Sequence, residues 1–299
     1  MDFRTSEHEL LNVEPPAAPR PRDRLIGKIL LDAGLIRQED IDRIVDHARR
    51  TNTKFGEAAI ALRLVGDRDM ASALAYQFDY PIVVKGTSQI SGEVVAAFEN
   101  SHPILSDLHN LRNQLLLRWI SADGAANKTL AIMSPGQGEG RTFLAANLAV
   151  TLSQMGQRTL LIDADFRQPR MHNLFGVENH AGLSALLAER STRGALQRVQ
   201  GLRDLTILPC GGIPPNPTDL LSKPFLGDLL GRLAGSFDII ILDTPAADLG
   251  PEAQMIAARA KGCVVVAREG VSRMRSLQVL ARNLASTGTT VIGTVLVKA

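Results

Sequence analysis

The sequence predicts an α/β fold: a parallel sheet covered by helices, preceded by a small all-α domain. Three observations predict it. From Lys128 onward, apolar runs of strand length alternate with helical stretches. Continuous apolar strands alternating with helices imply a parallel sheet buried on both faces. The first of those runs leads straight into a glycine-rich turn. Ahead of them, two helical segments repeat at an offset of 29 residues.

The strands are read at TLAIM, RTLLIDAD, LTILP, FDIIILD, GCVVVAR and TVIGTVLV. Helices are expected over residues 143–155, 183–189, 223–233, 252–260 and 272–285. The repeat pairs GKILLDAGLIRQEDIDRIV, from Gly27, with GEAAIALRLVGDRDMASAL, from Gly56. Leu31 then meets Ile60, Ile36 meets Val65 and Ile41 meets Met70. Each copy reads as a short helix, a turn and a second helix. Acidic residues Glu39, Asp40, Asp67 and Asp69 suit helix starts, where they meet the positive end of the macrodipole.

Residues 1–22 are expected to be a disordered tail, with four prolines among charges and small residues. The helical repeat domain spans 23–84 and a linker 85–104, with one short helix at 93–98. Leu105, Leu108, Leu111, Leu115 and Trp119 then form one face of an amphipathic helix. That helix opens the α/β domain, residues 105–299.

Composition narrows the function classes. Hydrophobic residues make up 45% and charged residues 21%, as in soluble globular proteins. A formal charge of +2 gives no argument for nucleic acid or an anionic membrane as partner. Cys210 and Cys263 form no metal-ligand pattern and suit a reducing cytosol. The N-terminus has no apolar signal-like region, and no apolar run approaches a membrane span. The expectation is a cytoplasmic protein that reaches a membrane only through a partner.

After the first strand comes Ser134-Pro135-Gly136-Gln137-Gly138-Glu139-Gly140-Arg141-Thr142, followed by a helix. Strand, glycine loop and helix N-terminus together cradle phosphates: glycine lets backbone N–H groups approach the oxygens. The strict pattern has glycine where Pro135 stands and lysine where Arg141 stands. Thr142 keeps the hydroxyl expected on magnesium. Asp163 and Asp165 close the second strand and Asp243 the fourth. Carboxylates at those strand ends face the crevice where ligands of open α/β sheets sit. Buried acids there call for a cation, and Mg²⁺ is the natural one.

These residues resemble the Walker regions of bacterial tyrosine kinases, within a MinD/ParA-like P-loop NTPase fold. Asp163-x-Asp165-x-Arg167-x-Pro169-x-x-His172 is similar to their signature, and Pro214-Pro215-Asn216-Pro217-Thr218-Asp219-Leu220-Leu221 to their PPNPxELL segment. FDIIILDTPA looks like their Walker B strand. The nearest resemblance is to EpsG-type chain-length-determinant kinases of exopolysaccharide biosynthesis. It implies binding of ATP with Mg²⁺ by Gly136, Gln137, Gly138, Glu139, Gly140, Arg141, Thr142 and Phe143. It implies that Arg141 contacts the β- and γ-phosphates, and that Thr142, Asp163 and Asp243 hold the metal. Asp163 and Asp165 would position it, and Asp163 would accept the tyrosine proton. The implied partner is a Wzz-like membrane polysaccharide co-polymerase, with homo-oligomers assembled through the helix at 105–119.

Departures bear on that reading. The family's ring-forming helix carries E-x-x-R-x-x-R, where this chain has Ser106, His109 and Arg112. Both tyrosines, Tyr76 and Tyr80, precede the α/β domain. Weak self-association and three functions are therefore weighed: a tyrosine kinase regulating exopolysaccharide polymerisation, a MinD/ParA-like ATPase switch, and a non-catalytic ATP-binding regulator. The N-terminal repeat is similar to the front domain of type II secretion and pilus ATPases, some of which bind cyclic di-GMP. Gly27, Leu30, Leu31 and Gly34 fit that motif, but Arg63 replaces the second copy's middle glycine. A docking module is expected, and cyclic di-GMP binding is not.

Overall fold

The computed structural model describes residues 25–77, 83, 88–98, 102–120, 128–190 and 193–298. The expected tail at 1–22 lies outside them. The chain divides into two compact units that part between Val83 and Val84.

The first unit is helical: α1 (Ile26–Asp32), α2 (Gln38–Thr51), α3 (Phe55–Ala61) and α4 (Asp67–Gln77). The core repeats with the helices. Ile29 and Ala58, Leu30 and Ala59, Ile36 and Val65, and Ile44 and Ala73 are equivalent pairs, and all are buried. The glycines that open each copy serve this packing. A Cβ on Gly27 would meet the Phe55 ring at 3.1 Å, and one on Gly56 would meet the Met70 sulfur at 3.1 Å. The turn repeats too. Gly34 has φ +69°, and Arg63, its equivalent, takes φ +53°. That left-handed conformation is easy for glycine and strained for arginine.

The second unit begins before the expected boundary. Residues 88–98, read from sequence as part of a linker, pack against the helix Arg141–Ser153. Their helix is short, α5 (Val95–Phe98). Asn147 Oδ1 accepts from Ala96 N at 3.0 Å, its Nδ2 donates to Glu93 O at 3.1 Å, and Gln154 Nε2 donates to Ala96 O at 2.8 Å. Then come α6 (Pro103–Leu115) with a π-helical turn at Leu116–Ile120, β1 (Thr129–Met133), α7 (Arg141–Ser153) and β2 (Thr159–Asp163). Next are α8 (Met171–Phe175), α9 (Leu183–Leu187), β3 (Gln197–Val199) and β4 (Leu202–Leu208). α10 (Pro217–Ser222), α11 (Phe225–Ser236), β5 (Ile239–Asp243) and α12 (Glu252–Ala260) follow. The described chain closes with β6 (Gly262–Arg268), α13 (Met274–Ser286) and β7 (Thr290–Val297).

Among the described residues the sheet has seven strands, ordered β3-β4-β2-β5-β1-β6-β7. Every pairing is parallel except β3 with β4. Side chains alternate between faces. Ala131, Met133, Leu160, Ile162, Ile240 and Leu242 join one core cluster with residues of α11 and α12. On the other face lies α7, whose Leu144, Ala145, Leu148, Ala149 and Leu152 are all buried. A helix apolar on every side is a buried helix, and α5 and α6 cover its far flank. Trp119 lies over Gly262, where any Cβ would overlap its ring.

One expectation needs correcting. β7 was read as a strand covered on both faces, yet it is an edge strand with Val291 and Leu296 exposed. The helix of residues 105–119 buries the apolar face its spacing predicts. Leu105, Leu108, Leu115 and Trp119 are buried in their own unit, and Arg112 Nη1 donates to Thr151 O at 3.1 Å. Among the described residues, no helix is long and apolar enough to cross a membrane.

Candidate nucleotide site

The central strand β1 ends at the point where chain connections diverge, β5 on one side and β6 on the other. Ligands of open α/β sheets bind at that crevice. The loop from Ser134 to Gly140 fills its rim. Gly138 has φ +69°, and Gly140, which caps α7, has φ +97°. These values are easy for glycine, and a glycine loop ahead of a helix N-terminus is the arrangement that offers backbone N–H groups to anions. Gln137 and Gly138 form the exposed crest, while Phe143 is half-buried on the first turn of α7.

Two predicted site residues serve the loop from behind. Glu139 is buried, and its Oε2 accepts from Gly136 N at 2.8 Å. Its Oε1 accepts from the Ser272 hydroxyl, which itself accepts from Arg268 N at 2.8 Å. Arg268 Nη1 also donates to Gly138 O at 3.0 Å. The loop after β6 therefore clasps the phosphate loop, a contact no local spacing announces. Arg141, expected to reach toward phosphates, turns inward. Its Nε donates to Thr244 O at 3.0 Å, and its Nη1 to Gly136 O at 2.6 Å and to Ser134 Oγ. A planar guanidinium spreads its donors over three nitrogens and so reaches acceptors that lie apart, whereas an ammonium donates from a single nitrogen. In this structure Arg141 braces the loop.

The carboxylates converge. Asp163 and Asp243 are partners in the β2–β5 register. Asp243 is buried, Thr142 Oγ1 donates to its Oδ2 at 2.8 Å, and its Oδ1 has no hydrogen-bond partner. Burial raises its pKa well above the usual carboxylate range, and Asp163 adds to this. The Thr142 hydroxyl and the nearby Arg141 oppose it. Asp163 is pushed up to about 7 by burial, against its backbone hydrogen bonds. Its Oδ2 accepts from Arg170 N and Met171 N, each at 3.0 Å. Those bonds tie the carboxylate to the start of α8. The carboxylate is fully buried and engaged by backbone donors. Asp165 Oδ1 accepts from Arg167 N and Gln168 N, each at 2.9 Å, forming a tight turn.

A buried carboxylate oxygen without a donor is costly. Asp243 Oδ1, beside the Thr142 hydroxyl, fits a hard cation. Among the described residues no group of three or more His, Cys, Asp or Glu could hold a metal by itself. Mg²⁺ commonly takes one or two protein oxygens and leaves the rest to water and phosphates. Beside the loop opens a cleft of ≈ 540 Å³, lined by Gly136, Gln137, Asp248, Arg273, Arg275 and Asn283 among others.

Sequence reasoning missed one buried acid. Glu252, the first residue of α12, accepts from Arg167 Nη2 at 2.5 Å and from Thr218 Oγ1 at 3.1 Å. Burial would raise its pKa, but its own backbone N–H and Arg167 hold it below the usual value. Glu252 thus joins the two signature segments around Asp165 and Pro217.

Glycine loop, Thr142 and a strand-end aspartate define a P-loop nucleotide-binding domain. The chain matches the CbiA family, described as the CobQ/CobB/MinD/ParA nucleotide binding domain, over residues 130–299. It is 34% identical over 169 residues to the tyrosine-protein kinase YwqD of Bacillus subtilis (strain 168), covering 56% of this chain and 71% of that one. It is 33% identical over 171 residues to the putative tyrosine-protein kinase CapB of Staphylococcus aureus, covering 57% and 75%. The solved structure of the chimerical protein CapA2B2 superposes with a TM-score of 0.63 at 28% identity, over 75% of this chain and 97% of that chain. The kinase domain of the Escherichia coli tyrosine kinase ETK gives 0.61 at 28% identity, over 65% and 75%. The chain belongs to the CobQ/CobB/MinD/ParA nucleotide-binding family and, within it, to the bacterial tyrosine-protein kinases.

Proposed function

We propose that the protein is an ATP-dependent tyrosine kinase that regulates exopolysaccharide polymerisation through a membrane co-polymerase. One observation carries this reading: the Thr142 hydroxyl and the unsatisfied Asp243 Oδ1 stand beside a glycine loop at the sheet's switch point. The loop N–H groups from Gly138 to Thr142 bind the phosphates of ATP. Thr142 and Asp243 hold Mg²⁺, which supplies charge neutralisation for the transferring phosphoryl group. Asp163 and Asp165 add negative potential on the metal side and keep their backbone turns in place. Arg141 stiffens the loop. Phosphoryl transfer depends mostly on such positioning.

The absence of tyrosine after Tyr80 in the sequence favours a substrate tyrosine outside the α/β unit. It also supports the second reading, an ATP-binding regulator without transfer. Incubating the purified protein with γ-labelled ATP and Mg²⁺, alone and with its co-polymerase, separates them. Label on tyrosine supports the kinase. Nucleotide binding with no label under either condition supports the regulator.

A further inference from the structure

We propose that Glu252 is a positioning residue for the metal side of the nucleotide site, acting through Arg167 on the Asp165 turn. The inference rests on the nucleotide-binding reading above and names a residue that reading does not use.

Residues 244–252 form a strap between two parts of the site. At its near end it is bonded to the phosphate loop. Arg141 Nε donates to Thr244 O at 3.0 Å, Ala247 N to Ser134 O at 3.0 Å, and Asp248 N to Pro135 O at 3.1 Å. At its far end stands Glu252, only 1% exposed. Its Oε1 takes the Arg167 guanidinium and the Thr218 hydroxyl. Its Oε2 is buried without a hydrogen-bond partner. A Cβ on Gly250 would overlap that oxygen, so the strap closes tightly over the carboxylate.

An apolar side chain of similar size would fill this place without the cost of a buried charge. A charge placed there sets geometry instead. Arg167 is the anchor it sets. The Arg167 backbone N–H is one of two donors that hold Asp165 Oδ1, and Asp165 N in turn donates to Asp163 Oδ1 at 3.3 Å. Asp163 sits beside Asp243 in the sheet register. The path from Glu252 to the metal-side carboxylates is thus a short chain of bonds, and its other end is the phosphate loop. Outer groups that orient metal ligands cost metal affinity when removed.

The test measures ATP binding by the full chain with Mg²⁺ and with EDTA, by titration calorimetry. In Glu252→Gln and in Arg167→Gln, the Mg²⁺-dependent gain in ATP affinity should fall about tenfold, with affinity in EDTA within about twofold of wild type. The double variant should lose no more than either single one, because both act on one path. Thermal melting of each variant checks that it is folded. Should Glu252→Gln not fold, Arg167→Lys, which keeps a cation beside the carboxylate but loses the fork, should show the same loss of Mg²⁺ gain. An unchanged gain, additive losses, or equal losses with Mg²⁺ and EDTA overturn the proposal. A wild-type chain that binds no ATP overturns the nucleotide reading itself.

Discussion

Asp163 and Asp243 end neighbouring strands side by side, and only one of them is satisfied by the protein. Asp163 takes three backbone N–H donors, whereas Asp243 keeps Oδ1 free of any partner. The two carboxylates look equivalent in sequence, each closing an apolar strand. Their surroundings differ: Asp163 accepts the backbone N–H groups of a turn, whereas Asp243 accepts the Thr142 hydroxyl.

Asp243→Asn should therefore abolish the Mg²⁺-dependent part of ATP affinity while leaving the metal-free melting temperature at or above wild type. The substitution removes a buried charge whose protonated form the fold already favours. A marked loss of metal-free stability would show that the carboxylate has a structural duty instead.

Arg141→Ala should lower stability as well as ATP binding. It strips the side-chain donor from Thr244 O and one of two from Gly136 O, which keeps the Ser134 hydroxyl. Leaving the buried Thr244 O unpaired costs about 1–3 kcal/mol, or roughly 2–12 °C in melting temperature. Arg141→Lys should recover only part, since one ammonium cannot span both carbonyls. Equal melting temperatures for wild type and Arg141→Ala, measured by calorimetry without nucleotide, would disprove the bracing role.

Arg63→Gly should stabilise the helical unit by about 0.5–1 kcal/mol, because it relieves a left-handed arginine at the cost of some chain entropy. Gly34→Ala, at the equivalent turn, should destabilise it. Denaturant melts followed by circular dichroism test both, and shifts of the same sign in the two variants would refute the comparison.

At the other end of β2 and β5, Asp238 takes Arg158 N at 2.9 Å, Nε at 3.1 Å and Nη2 at 2.6 Å. The Arg158 hydrogen bond holds the Asp238 pKa below its usual value. The stability this confers is present above the unfolded carboxylate pKa, about 3.9. It is lost as pH falls through the lower folded value. Asp238→Asn should therefore lower stability near neutral pH and converge on wild type in acid. The pair is partly exposed, so the difference should also shrink with salt. A gap that persists at low pH would assign the effect to packing.

Titrating the protein with cyclic di-GMP should give no heat at tens of micromolar ligand. Gly27 and Gly56 are explained by the Phe55 ring and the Met70 sulfur packed against them. Saturable heat would show that these helices serve a ligand as well as each other.

The sheet was legible because its strands are long apolar runs bounded by turns, and the helical repeat because its buried positions recur. What escaped was set by distant partners. β3 is three residues, Gln197–Val199, with no apolar run, and it exists only by pairing with β4. Residues 88–98 read as a connector because their anchors, Asn147 and Gln154, lie some fifty positions away on α7. The spacing of Gly140-Arg141-Thr142 revealed the loop. The direction of the Arg141 side chain depended on Thr244, 103 positions on. Glu252 reads as an ordinary acidic helix start until Arg167 is brought against it.

The indole of Trp119, packed over Gly262 and donating to Thr129 O at 3.3 Å, is the chain's only tryptophan. Both tyrosines precede residue 84, so the α/β unit has no other indole or phenol. Selectively excited tryptophan emission is thus an optical label, native to the chain, on the seam between α6 and the first residue of β6. It can follow melting of the nucleotide-binding unit with the helical repeat silent, and the same sample's far-ultraviolet signal then gives the repeat by difference.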